Sequence, residues 1–302
     1  MRQEIEIIPS HKIDKLKWDA CVCNSSNAFI YATSLYLDCM ADHWHGIVIN
    51  DYSTVMPVPW RKKYGIRYTY QVPFIQQLGW FQQQPANDHP AFLKFFFSFI
   101  KYGDYAFNFQ NKASIENATT CSNYIINLSG QYSTIKENYS TDLLNNLKKA
   151  GKENLVFSAE DYNTAIDVFQ QLYQSRTPHV TEQDYENFRS LSAKLSGQGN
   201  VLARKVSAAN GELLAVALLL KDERRIYNLM NSTTEKGRKT EANHFLFDRI
   251  FEEFAGSNFI FDFEGSDIPG VKNFYEKFGS INQPYCLLHF NRLPFPLNIL
   301  KR

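Results

Sequence analysis

Cysteine is scarce in this 302-residue chain: five are present, an odd number. So sparse a set argues against a disulfide framework and for a reducing compartment, with the cytoplasm as the expected location. Long apolar runs are missing too. The longest, Leu213 to Leu220, suits a buried strand and falls far short of the ~20 residues that span a bilayer. The N-terminal MRQEIEIIPS lacks the continuous apolar stretch of a signal peptide. Neither sign of charge dominates, since 32 Lys and Arg face 31 Asp and Glu. A net charge of +1 gives no global field toward nucleic acid or an anionic membrane and leaves room only for local basic patches. Motifs of several enzyme classes are absent as well. No Walker loop, dinucleotide fingerprint or G-x-S-x-G elbow occurs. Cys21-x-Cys23 has no second Cys/His pair at ligand spacing, and His43-Trp44-His45 has no third ligand nearby, so no metal is expected.

What the chain has in abundance is aromatic surface, with 24 Phe and 17 Tyr. Rings at that density fill cores or line clefts, and their number does not separate the two uses. Hydrophobic residues at 44% and charged residues at 21% read as globular, and the length suits one large domain or two ordinary ones.

The second half is the more legible. Residues 201–208, 213–221 and 226–231 alternate or run apolar as strands, and Asn210-Gly211 marks a tight turn between the first two. An antiparallel meander is expected. The polar loop STTEKGRKTE leads into a helix whose Ala242, Phe245, Leu246, Ile250 and Phe254 share one face. Residues 258–263 read as a buried strand. A shorter helix follows, with Pro269 in its first turn and a stripe of Val271, Phe274, Tyr275 and Phe278, and Gly279 provides its exit. A last strand is expected near 285–290.

The first half repeats that order more faintly. Helices at 12–22 and 33–42 precede strands at 46–50, 53–58 and 66–72, a Phe-rich helix at 90–101, and strands near 105–110 and 122–128. In the second half, helices at 161–175 and 181–196 likewise precede three strands, a helix and a strand. The agreement is of element order, and it points to an internal duplication. A helix at 139–150 joins the halves, which places the expected domains at 1–132 and 133–302.

The stretch from the meander to Phe274-Tyr275-Glu276-Lys277-Phe278-Gly279 resembles the GNAT acyltransferases, whose later helix carries an FYEK-x-G pattern. With the duplicated order, the chain is similar to the tandem-GNAT, Fem-type branch. That branch includes peptidyltransferases that add amino acids from aminoacyl-tRNA to cell-wall precursors. The resemblance implies an α/β fold of two tandem GNAT-like domains, each a mixed, mostly antiparallel sheet flanked by helices. The N-terminal domain would face the acceptor and the C-terminal domain the donor. It implies acyl-CoA as donor substrate, held where the meander splays from the next strand, with its pyrophosphate at the start of the long helix. The family's loop reads roughly Arg/Gln-x-x-Gly-x-Gly/Ala, but this chain reads Arg238-Lys239-Thr240-Glu241-Ala242-Asn243. Glu241 and Asn243 stand where glycines would admit phosphate, and a carboxylate repels it. That substitution shifts weight toward a donor other than coenzyme A or toward lost activity.

The resemblance nominates Tyr275 as general acid toward the leaving thiolate. Asp262 and Glu264, two apart at the end of the buried strand, are candidates to take a proton from the amine. Each has a plainer use, in helix packing for Tyr275 and in a salt bridge or cap for the acids. Lys236, Gly237, Arg238 and Lys239 form the candidate anion site, or else a solvated basic loop. Tyr68, Tyr70, Gln76 and Gln77 suit an acceptor such as a sugar or peptide, and Arg176 suits a carboxylate or phosphate. Strand packing and helix closure account for the same residues equally well. Three functions stay open: an N-acyltransferase acting on an amine of a sugar, amino acid or cell-envelope precursor, a Fem-type aminoacyl-tRNA-dependent peptidyltransferase with tRNA as partner, and a non-catalytic binding module that keeps the fold.

Overall fold

The computed structural model describes residues 4–82, 90–111 and 118–300. The chain forms two compact units, residues 1–121 with 284–302 and residues 122–283. In chain order the first contains β1 (Ile5–Pro9), α1 (Lys15–Asn24), α2 (Ser34–Met40), β2 (Trp44–Ile49), β3 (Thr54–Pro59), β4 (Arg61–Lys63), β5 (Ile66–Thr69), β6 (Phe81–Gln82), α3 (Pro90–Phe99), β7 (Tyr102–Phe107) and β8 (Thr119–Cys121). The second contains β9 (Tyr124–Asn127), α4 (Tyr132–Glu137), α5 (Thr141–Ala150), β10 (Val156–Ala159), α6 (Tyr162–Tyr173), α7 (Glu182–Ser196), β11 (Val201–Ser207), β12 (Leu213–Lys221), β13 (Arg225–Thr233), α8 (Glu235–Lys239), α9 (Ala242–Phe254), β14 (Ile260–Asp262), α10 (Pro269–Glu276) and β15 (Ile281–Asn282). The chain then returns to the first unit with β16 (Tyr285–Asn291) and α11 (Leu297–Leu300).

The fold is α/β, with mixed, mostly antiparallel sheets flanked by helices. The first unit has a sheet of order β1-β2-β3-β6 and another of order β4-β5-β7-β16-β8. The second has one sheet of order β10-β11-β12-β13-β14-β9-β15. The expected meander is β11-β12-β13, antiparallel throughout, with Gly211 left-handed in the first turn. Local sequence starts the helices: Asp14, Ser140 and Asp161 accept N–H groups at the first turns of α1, α5 and α6, and Thr181 and Asp184 form a capping box on α7.

Two closing strands depart from the expected domain split. The strand at 124–127, placed in the first half, pairs with β14 and β15 in the second unit. The strand at 285–291, placed in the second half, pairs with β7 and β8 in the first. Alternation in a sequence says which face of a strand is apolar and leaves its partner open, so this exchange had no local signal. The loop expected at 232–241 also holds a short helix, α8.

The phenylalanines fill the second unit's core. Phe247 and Phe251 of α9 meet Phe261, Phe263 and Phe278 with ring centroids 5.0–6.0 Å apart. All five are buried. These contacts hold α9 and α10 against the sheet and so fix the distance from α10 to the end of β13.

The feature that positions the site is a divergence of strands. Parallel pairing of β13 with β14 covers only Arg225–Tyr227 with Ile260–Asp262, whereas β13 continues to Thr233. A register shift at Leu218/Leu219 bends β13 against β12. Beyond Asp262 the chain turns away through left-handed Glu264 and Gly265, at φ 69° and 65°. The two strands therefore part after Tyr227.

Candidate functional site

A notch of about 330 Å³ opens where β13 and β14 part. Asn231 and Thr233 of β13, Gly237 and Arg238 of α8, the first turn of α9 and the face of α10 from Gly270 to Tyr275 line it, with Tyr173 and Arg176 on the α6 side. Of the residues nominated from sequence, the notch thus brings together Gly237, Arg238, Arg176 and Tyr275.

Gly237 is needed for packing. A Cβ there would lie 2.1 Å from the carbonyl oxygen of Leu214, so only glycine lets α8 sit on β12. Thr234 caps α8 by accepting the Gly237 N–H at 3.0 Å, and Arg238 donates to the Thr233 carbonyl at 2.8 Å. That bond fixes the guanidinium at the end of β13, with further donors left for an anion. Lys236 and Lys239 lie outside the notch, paired with Glu212 and Glu235.

Glu241 keeps a glycine's backbone without being one. It precedes α9 at φ 58°, a left-handed conformation that costs a side chain about 1–2 kcal/mol. Its carboxylate bonds Lys149 at 2.9 Å and the Nδ1 of His244 at 3.0 Å. The charge that would repel a phosphate is therefore drawn to a lysine. Asn243 exchanges two side-chain bonds with Asn231, at 2.9 and 3.0 Å, and so ties α9 to β13. The side chain of Glu241 does not cap α9, whose first turn lies at the notch with its N–H groups and positive dipole end.

His244 was not singled out from sequence, although Glu241-x-x-His244 puts both side chains on one helix face. Its ring lies 4.8 Å from that of Phe274, and its Nε2 is 3.5 Å from the Asn146 side-chain amide. Burial pushes its pKa down more than Glu241 pulls it up, which favours the neutral imidazole. Asn231 and Thr233 were missed too, because strand ends carry no local mark of which neighbour pulls away.

Tyr275 stacks on Phe263 at 4.4 Å. Burial, then the charges of Glu264 and Asp262, raise its pKa far beyond the ordinary phenol value. The hydroxyl stays protonated and keeps a proton to donate. Burial alone raises Glu264 well above the usual carboxylate range. Asp262 is committed elsewhere: it forms a buried ion pair with Arg225 and accepts from Asn123 at 3.3 Å. Asp262 and Glu264 do not line the notch.

The residues nominated in the first half lie in the other unit. Tyr68 lines an apolar groove there. The Tyr70 hydroxyl accepts the Asp42 N–H at 3.1 Å, under the Arg61 guanidinium 3.9 Å from its ring. Gln77 is buried and bonds Gln76 at 2.6 Å. Among the described residues no His, Cys, Asp and Glu group is placed to hold a metal, and no helix is long and apolar enough to cross a membrane.

A strand parting from its neighbour beside a helix start, with a tyrosine-bearing helix across the gap, defines a class. Residues 139–270 match the family model of the acetyltransferase (GNAT) domain. Acyl transfer is the chemistry of that family. The fold is similar to that of FemX over 100% of both chains, with a TM-score of 0.67 at 12% identity. L-PGS from Bacillus licheniformis matches 95% of each chain at a TM-score of 0.54 and 12% identity. The C-terminal domain of a putative lysylphosphatidylglycerol synthetase from Agrobacterium fabrum matches 95% of this chain and 94% of its own at 0.51 and 11%. No curated protein matches the chain in sequence.

Proposed function

We propose that the protein is an N-acyltransferase in which the notch of the second unit holds an activated acyl donor. The acceptor is an amine on a sugar, amino acid or cell-envelope precursor. The observation that carries this reading is the parting of β13 from β14 beside the first turn of α9, in a gap that Arg176 and Arg238 make cationic. Both donors of the family's two branches, acyl-CoA and aminoacyl-tRNA, present phosphate to such a gap. The amine attacks the acyl carbon and loses its proton through water to the ionised form of Glu264, which lies outside the notch and whose raised pKa makes it the stronger base once ionised. Tyr275 donates toward the leaving atom, a thiolate or a ribose oxygen. Asp262, which sequence nominated beside Glu264, serves by holding β14 to β13 through Arg225. A tandem arrangement is part of the proposal, supported by the strand–helix–helix–strand–strand order found in each unit, β1-α1-α2-β2-β3 and β10-α6-α7-β11-β12.

A second reading takes aminoacyl-tRNA as donor. It is favoured by the Cβ atoms of Glu241 and Asn243 at the glycine positions and by the Asn231–Asn243 bridge, which narrow the usual approach of a diphosphate. Titration distinguishes the two. Thermal stabilisation by acetyl-CoA that is lost in Arg238→Ala supports the first, and salt-sensitive binding of charged tRNA supports the second. If neither ligand binds and Tyr275→Phe changes nothing under any condition, the reading as a binding module that keeps the fold gains.

A further inference from the structure

Glu241 and His244 both line the notch at the start of α9, where a donor's phosphate would rest. Charged and polar groups meet the imidazole from three elements. On its own helix, one Glu241 oxygen lies 3.0 Å from Nδ1, and the other bonds Lys149 of α5 at 2.9 Å. From α5, the Asn146 carboxamide lies 3.5 Å from Nε2. From α10, Phe274 covers the ring at 4.8 Å, with Phe278 at 6.3 Å. Asp142 of α5 and Lys277 of α10 are paired with each other and act on the ring in opposite directions.

Nδ1 faces a carboxylate, so it carries the ring proton of the neutral form and Nε2 keeps a lone pair. Asn146 suits Nε2 in either charge state, since its Nδ2 donates to a neutral ring and its Oδ1 accepts from a protonated one. Glu241, Lys149 and a neutral His244 together carry no net charge, whereas a protonated His244 makes the set cationic. We propose that His244 is the proton-linked cation of the donor's phosphate site: entry of a phosphate draws a proton from solvent onto Nε2, and the imidazolium then offsets Glu241. This rests on the reading of the notch as a donor site, and it gives the carboxylate at the glycine position a partner that makes a phosphate tolerable there. One proton moves from water or buffer to Nε2, and no other bond changes. Burial, the largest influence on the ring, keeps it neutral in the free protein, so the added charge comes with the ligand. By linkage, a phosphate that favours the protonated form binds more tightly as pH falls.

Calorimetry of the full chain with dephospho-coenzyme A tests the inference. The diphosphate diester of that probe keeps its charge between pH 6 and pH 8, so a pH dependence in that range belongs to the protein. Wild type is expected to take up part of a proton at pH 7, read as a binding enthalpy that varies with the ionisation enthalpy of the buffer. It should also bind several-fold more tightly at pH 6 than at pH 8. His244→Asn should take up no proton and bind with one affinity across the range. Glu241→Gln should bind more tightly than wild type at pH 8, because the opposing charge is gone. A wild type that binds without proton uptake, or a His244→Asn that takes up the same proton, would overturn the inference and leave the donor site standing. If dephospho-coenzyme A does not bind, the same readouts are taken with charged tRNA, whose phosphodiesters also keep their charge. Failure of both ligands at every pH removes the donor site and the inference with it.

Discussion

His244 and Glu264 each hold a titrating group whose environment depends on residues brought in by the fold. For His244, an unfolded imidazole binds its proton near pH 6.5, whereas the folded one does so only at lower pH. Between those values the unfolded chain carries more protons, so stability is whole above the window and falls as pH drops through it. His244→Asn should therefore lose less Tm than wild type between pH 7.5 and pH 5.5 in paired thermal melts. Glu264 has the opposite sign. Its raised value means that stability present at low pH is lost as pH rises through the folded pKa. Glu264→Gln should melt higher than wild type at pH 8, match it at pH 4, and lose acyl transfer. Equal melting at both pH values would remove the buried-acid assignment. At this scale Tyr275 was legible from its FYEK setting. Asp262 and Glu264 were expected to share a strand face, but β14 ends at Asp262 and Glu264 is left-handed, and that only Asp262 meets Arg225 was not legible. Alternation places two carboxylates on one face, while Arg225 belongs to a strand thirty-odd positions away in the chain.

Among elements, the packing of α8 on β12 sets the width of the notch, and it rests on Gly237. Gly237→Ala would push a methyl group into the Leu214 backbone, a clash that no side-chain rotation relieves. The expected cost is about 1–3 kcal/mol, read by urea unfolding, together with weaker donor binding as Arg238 shifts from Thr233. An alanine variant of unchanged stability would show that α8 moves freely. Sequence patterning found the meander, α9 and α10 within a few residues because each carries a strong apolar period or run. It missed α8, where Thr234 and Gly237 settle a five-residue turn by one cap and one contact.

For the whole molecule, the chain leaves the first unit at β8 and returns at β16, so the second unit is one continuous segment. β16 lies between β7 and β8 in the first unit's sheet. Removal of residues 284–302 should therefore unfold the first unit and leave 122–283 protected, visible as a resistant fragment in limited proteolysis. Equal resistance of both units would contradict the pairing. The order of the elements was readable from sequence, whereas the exchange of β9 and β16 was not. Partner choice between strands is decided by long-range burial, such as that of Tyr124 and Ile126 in the second unit's core.

Gly270 offers the most direct test of the notch as the seat of an activated acyl donor. It lines the notch, and a Cβ there meets nothing within 4 Å, so Gly270→Trp fills the space without a clash at the backbone. Thermal melts of wild type and Gly270→Trp with acetyl-CoA and with charged tRNA should show stabilisation of wild type by one donor and none of the variant, at similar melting without ligand. Stabilisation of the tryptophan variant equal to that of wild type would place the donor elsewhere and contradict the account.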